Sequence, residues 1–133
     1  MKDLFLLKNE VRESLFEEVN AALGAGNQAY IQKFGAVGSL AWWDNYAKGK
    51  IDSFVAGGEV LSIWSERNEE NRLVHYAEIE TEKAVLELEL TEFIATGLVS
   101  VGNYYEQELV TIYVDEDDPE SSHQFLIRVS VNS

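Results

Sequence analysis

The sequence predicts an α+β fold, with N-terminal helices packed on one face of a curved antiparallel β-meander of about six strands. Its hydrophobic period is helical up to about residue 50 and becomes two after Gly57-Gly58. The links between the later segments are short and turn-like, which pairs chain neighbours as antiparallel hairpins. Length supports the same picture: 133 residues, 46% of them hydrophobic, bury enough surface for one self-sufficient core. A single domain is expected over 1–133, mainly helical over 1–50 and sheet over 51–133.

Taken in order, Leu4, Leu7, Val11, Leu15, Val19, Ala22 and Leu23 recur at helical spacing and predict an amphipathic helix ending at Gly24. Asp3 or Asn9 would cap it, and the choice matters because Leu4-Phe5-Leu6-Leu7 alone suits a short strand equally well. A second helical pattern starts at Asn27 and runs through Tyr30, Ile31 and Phe34. It is loosened by Gly35 and Gly38, restarts with Ser39 as a cap before Leu40-Ala41-Trp42-Trp43, and ends at Gly49. Predicted strands follow at Glu59–Ser65, Arg72–Glu80, Ala84–Ala95, Leu98–Tyr105, Glu108–Val114 and Gln124–Val131, with an earlier candidate at Ile51–Ala56. The two longer links, Glu66–Asn71 and Asp115–His123, are polar or acidic and read as surface loops.

Register follows from keeping apolar residues on one side. In the hairpin around Thr81-Glu82, Leu73, His75, Ala77 and Ile79 match Ala84, Leu86, Leu88 and Leu90, which sets His75 opposite Leu88 and turns Glu78, Glu80, Glu87 and Glu89 outward. A two-residue turn at Thr96-Gly97 then sets Leu90 against Asn103 and Leu88 against Tyr105. A further turn at Glu106-Gln107 extends the inner face to Val110, Ile112 and Val114, and the last strand adds Phe125, Ile127, Val129 and Val131.

Four polar residues fall on that inner face: His75, Glu92, Asn103 and Tyr105. Each is either satisfied in the core, exposed at a rim, or lining a pocket. A His75–Glu92 acid/base dyad is out of reach, because four residues of strand separate their levels by roughly 13 Å. His75 and Tyr105 share a level two strands apart, about 9.6 Å, close enough to share a ligand. Asn103 and Glu92 are diagonal neighbours. The aromatic cluster Trp42-Trp43-Asp44-Asn45-Tyr46 either supplies core, with one tryptophan inside and its neighbour partly out, or caps a pocket or marks a contact surface.

The outer face carries Tyr76, Phe93, Leu98, Tyr104, Leu109, Tyr113 and Leu126 beside its carboxylates, with Phe93 and Tyr113 flanking Ser100. That is more apolar surface than a solvated face needs, and a homodimer through it is the expected way to bury it.

Charge is partitioned. Residues 1–58 hold 6 Lys/Arg against 7 Asp/Glu, and residues 59–133 hold 4 against 17. The second half therefore repels nucleic acid and anionic membrane and favours cationic partners. Without cysteine there is neither a disulfide framework nor a thiol nucleophile, which suits a cytoplasmic location. The apolar run at the start is far too short for a signal peptide or a membrane span.

No motif specifies a reaction. Asp115-Glu116-Asp117-Asp118-Pro119-Glu120 fails the EF-hand pattern, with Glu120 at the glycine position and Leu126 at the bidentate Glu position. His75 and His123 lack metal-ligand spacing, Gly35-Ala36-Val37-Gly38 lacks the basic surroundings of a nucleic-acid clamp, and neither a phosphate-binding loop nor a nucleophile elbow is present. No cofactor or metal is implied. The sequence thus points first to a non-catalytic interaction module whose anionic sheet meets a cationic protein, of the immunity or inhibitor kind. The alternative is a small-molecule binder or simple enzyme with a pocket lined by His75, Tyr105, Asn103, Glu92, Trp42 and Trp43. In its order of helices and strands the chain resembles cystatin-like and NTF2-like folds, a likeness of architecture that implies no activity.

Overall fold

The computed structural model describes residues 1–9 and 13–132. Its elements are β1 (Lys2–Leu6), a short 3-10 turn (Leu7–Asn9), α1 (Glu13–Gly26), α2 (Gln28–Phe34), α3 (Leu40–Ala47), β2 (Phe54–Arg67), β3 (Leu73–Glu80), β4 (Val85–Glu89), α4 (Thr91–Ala95), β5 (Tyr104–Tyr113) and β6 (Ser122–Asn132). The α+β class holds: after β1, helices α1, α2 and α3 precede the remaining five strands, and the six strands form one open sheet in the order β1-β6-β5-β2-β3-β4. Neighbours in the chain are neighbours in the sheet over β2-β3-β4 and again at β5-β6, while β5 returns to the far edge of β2 instead of pairing with β4.

The chain divides into two compact units, the first Met1–Phe5, Val55–Glu108 and Arg128–Ser133, the second Leu6–Phe54 and Leu109–Ile127. In the first, the N-terminal segment is a strand and not the opening of a helix. Asp3 accepts a hydrogen bond at 2.6 Å from the hydroxyl of the fully buried Ser130 on β6, and a partner 127 residues away is invisible to local periodicity. Val11, part of the predicted helical stripe, lies outside the described residues. Beside this bond, Arg128 donates to Ser130 at 2.7 Å and to Glu106 at 2.6 Å, with Glu108 at 3.5 Å.

The β3–β4 hairpin keeps the predicted faces in a different register. Ala77 pairs with Leu88 and Ile79 with Leu86, so His75 is not opposite Leu88. The connection is longer than expected, because Thr81 closes it through its own N–H and hydroxyl, both bonded to the Ala84 carbonyl. A slip of two residues preserves which side each residue faces. Leu88 now pairs with the buried Ala77 and Glu87 with Glu78, each on its predicted side.

Four sequence expectations fail between residues 90 and 107. The predicted strand Ala84–Ala95 stops at Glu89, and Thr91–Ala95 is helical. Gly97, at φ +76, then ends that helix where a two-residue hairpin turn was expected, with Leu98 and Val99 donating back to the Phe93 carbonyl at 2.8 and 3.2 Å. A short apolar run satisfies both periods, so pattern alone does not separate strand from helix here. The predicted strand at Leu98–Tyr105 is mostly turn: Gly102 has φ +90, and Asn103 ties the loop by accepting the Ser100 N–H at 2.8 Å. Glu106-Gln107 lies inside β5, where ion pairing to Arg128 explains its polarity without a turn.

In the second unit the helix starts match expectation at Asn27 and at the Ser39 cap. Asn27 accepts the Tyr30 N–H at 3.3 Å to start α2, Gly35 at φ +89 ends it, and Ser39 accepts the Trp42 N–H at 3.2 Å to start α3. Helix α1 passes through Gly24 and ends at Gly26, where any Cβ would run into the Val114 carbonyl. Val19 and Leu23 on α1 are fully buried, and Asn20 holds the α2–α3 link by bonding both the N–H and the carbonyl of Val37, at 2.8 and 3.1 Å. Val110, Ile112, Phe125 and Ile127 are buried on β5 and β6 as expected.

Candidate functional site

Strands β2, β3 and β4 build the most chemically distinctive surface of the first unit. Trp64 pairs with Tyr76, Tyr76 with Glu89, Ser62 with Glu78 and Glu78 with Glu87. Alternation places all of these on one side, together with Glu66 two residues beyond Trp64. The Trp64 and Tyr76 rings lie 5.8 Å apart at an interplanar angle of 18°, a stacked pair. Trp64, Tyr76, Glu66 and Glu87 line an open cleft of about 420 Å³. Among the described residues no Lys or Arg pairs with Glu66, Glu78, Glu87 or Glu89. Two π faces beside uncompensated carboxylates attract an organic cation by ring quadrupole and charge together.

No protein-family model matches the chain, and no curated protein matches it in sequence. Function therefore has to be read from side chains alone.

The six residues read from the sequence as a pocket line neither this cleft nor the groove described below. His75 is half-buried on β3, its Nδ1 2.7 Å from the Ser65 hydroxyl and its backbone N–H bonded to Thr91 Oγ1. Glu92 is exposed on α4 and is not a strand neighbour of Asn103. Asn103 is engaged in its own turn, its carbonyl accepting the Val60 N–H at 2.9 Å. Tyr105 is buried, its hydroxyl donates to Gln107 at 2.8 Å, and burial pushes its ionisation well above the ordinary phenol range. Trp42 is fully buried and donates from Nε1 to the Tyr30 hydroxyl at 3.0 Å; burial raises Tyr30's ionisation, the bond from Trp42 offsetting part of that. Trp43 is half-buried, edge-on to Trp42 at 4.8 Å. One tryptophan inside and one partly out is the arrangement the sequence suggested for a core role.

The seven residues assigned to an outer patch are divided. Tyr76, Phe93, Leu98 and Tyr104 belong to the first unit, and Leu109, Tyr113 and Leu126 to the second. Phe93 sits on α4 and Leu98 in the turn after it, so the strand ladder expected to set Phe93 and Tyr113 beside Ser100 is not formed. Tyr76 is the one that reaches the acidic cleft.

A second concavity belongs to the other unit. A groove of about 380 Å³ is floored by Leu109, Thr111 and Tyr113 and walled by Phe34 and the segment Lys50–Phe54. Sequence reasoning missed Trp64 and Glu66 in the cleft and Phe34 and Lys50 in the groove. The available signal for the cleft was the alternation Ser62, Trp64, Glu66, obscured because Glu66 read as the start of a loop. Among the described residues no group of three His, Asp or Glu side chains converges as a metal site, and no helix is long and apolar enough to cross a membrane.

Proposed function

We propose that the chain is a non-catalytic binding module whose β2-β3-β4 face receives a cationic protein. The observation that carries this is the stacked Trp64–Tyr76 pair, set in a cleft with Glu66 and Glu87 and among carboxylates that no Lys or Arg among the described residues neutralises. The 17 Asp/Glu against 4 Lys/Arg after residue 58 extend the attraction beyond contact range. Binding through exposed carboxylates accelerates encounter, and a Lys or Arg side chain laid on the aromatic pair supplies the local anchor. A homodimer through the seven apolar residues is a weaker reading, since those residues are split between α4, a turn, and strands of two units. The absence of cysteine from the sequence suits a cytoplasmic setting.

The test is titration with a lysine- and arginine-rich peptide, followed by tryptophan emission at low and high NaCl. Affinity is expected to fall about tenfold or more as salt rises through the physiological range, and to fall again in Glu66→Gln/Glu87→Gln at fixed low salt. Trp64→Phe should remove most of the emission change. Affinity indifferent both to salt and to the double substitution would refute the reading.

A further inference from the structure

The groove in the second unit is chemically unlike the acidic cleft. Its floor is one face of β5, since Leu109, Thr111 and Tyr113 are spaced two apart while Val110 and Ile112 between them are buried on the other side. Two phenyl rings rise beside that floor, Phe34 from the end of α2 and Phe54 from the start of β2, and Phe54 is 56% exposed. Three aromatic rings and a leucine around about 380 Å³ suit one ring-bearing small molecule, being at the small end of the usual ligand-site range. One side of the Phe34 ring is already occupied by the Lys33 ammonium, 5.1 Å from its centroid.

Charge narrows the class. Lys50 and Asp52 both line the groove, two residues apart on an irregular segment that bends at Ile51, which keeps their backbones within about 7 Å of each other. Neither forms an ion pair, with the other or with any other described residue. A purely anionic ligand would meet Asp52, and a purely cationic one would meet Lys50. A zwitterion meets both favourably, and it carries no net charge into the field of a −14 chain. A mid-chain peptide residue presents neither terminus, and a peptide end presents one.

We infer that this groove binds a free aromatic α-amino acid, its ring among Phe34, Phe54 and Tyr113, its carboxylate at Lys50 and its ammonium at Asp52. The Thr111 hydroxyl on the floor is a further hydrogen-bonding group for the same polar end. The site is independent of the cationic-partner reading, because it shares no residue with the cleft of Trp64 and Tyr76.

Calorimetric titration of the full chain with L-phenylalanine, phenethylamine and 3-phenylpropionate separates the contributions, since the last two each lack one charged group. L-phenylalanine is expected to bind about tenfold more tightly than either analogue. Lys50→Met should weaken L-phenylalanine while phenethylamine, relieved of the like charge, binds at least as tightly as before, and Asp52→Asn should weaken L-phenylalanine while 3-phenylpropionate binds at least as tightly as before. Both residues are exposed, so the substitutions spare the core, and the ligand series on the unaltered chain decides the matter even if a variant misfolds. No binding of L-phenylalanine, equal binding of all three ligands, or equal loss of all three in Lys50→Met would each overturn the proposal.

Discussion

Two residues show how far burial sets the chemistry of single side chains. Tyr105 has its hydroxyl bonded to Gln107 and its phenol pushed upward by burial, so the folded chain keeps a proton that the unfolded chain releases near pH 10. Its stabilising contribution is complete below about pH 10 and is lost as pH rises from there toward the folded value, because the unfolded state then binds fewer protons than the native one. Tyr105→Phe should therefore lower stability at neutral pH by about 1 kcal/mol through the missing hydrogen bond, yet flatten the alkaline decline. Tyr30 is shifted the same way, so the decline should be reduced and not abolished. Urea unfolding at several pH values from neutral to alkaline measures both effects, and an alkaline limb as steep as the parent's would refute the assignment. Arg128 gives the second case. Its guanidinium is raised chiefly by the hydrogen bond to Glu106, and it joins Glu106, Glu108 and Ser130 while only 24% of its side chain is exposed. Arg128→Met removes the cation shared by the part-buried carboxylates of Glu106 and Glu108 and should cost about 1–3 kcal/mol in urea unfolding. A variant as stable as the parent would make this network incidental.

At the scale of elements, strand pairing demands close backbone approach at particular points. Gly58 is buried where β2 lies against the end of β3, and a Cβ there would collide with the Glu80 carbonyl. Gly58→Ala should destabilise by about 2 kcal/mol or more, since backbone and not a flexible side chain stands in the way, while Gly24→Ala, with open space around it inside α1, should be neutral or stabilising. Thermal melts of the two variants side by side check this, and equal midpoints would contradict it. The same elements show what the sequence made legible. Caps at Asn27 and Ser39 and the breaks at Gly35 and Gly49 act through neighbouring residues, and so could be read locally. Strand β1 depends on Ser130, and β5 depends on β2 through Val60, Gly102 and Asn103. Those are long-range choices that period cannot encode. The acidic face was legible in its carboxylates because a two-residue register slip leaves sidedness unchanged. The cleft within it was not, because Trp64 meets Tyr76 only after β2 absorbs an irregularity between Val60 and Ser62.

For the whole molecule, the net charge of −14 has an energetic cost that the fold does not hide. Glu59 lies opposite Glu80 and Glu78 opposite Glu87, so like charges face each other directly across both of these strand pairs. Such pairings are destabilising by roughly 0.2–1 kcal/mol each, and the exposed ones are screened by salt. The thermal midpoint should therefore rise as NaCl increases from low to several hundred millimolar. Glu87→Gln should raise it by roughly 2 °C at low salt, with the gain shrinking at high salt. The same substitution removes one negative charge from the lining of the Trp64–Tyr76 cleft, so it should weaken binding of the cationic peptide while it stabilises the free chain. Stability and binding moving in opposite directions is the outcome expected of carboxylates that attract a partner at the expense of the fold that carries them. If Glu87→Gln instead lowers the midpoint at low salt, the acidic face is held together by interactions of its own, and the partner-binding account of that face loses its energetic basis.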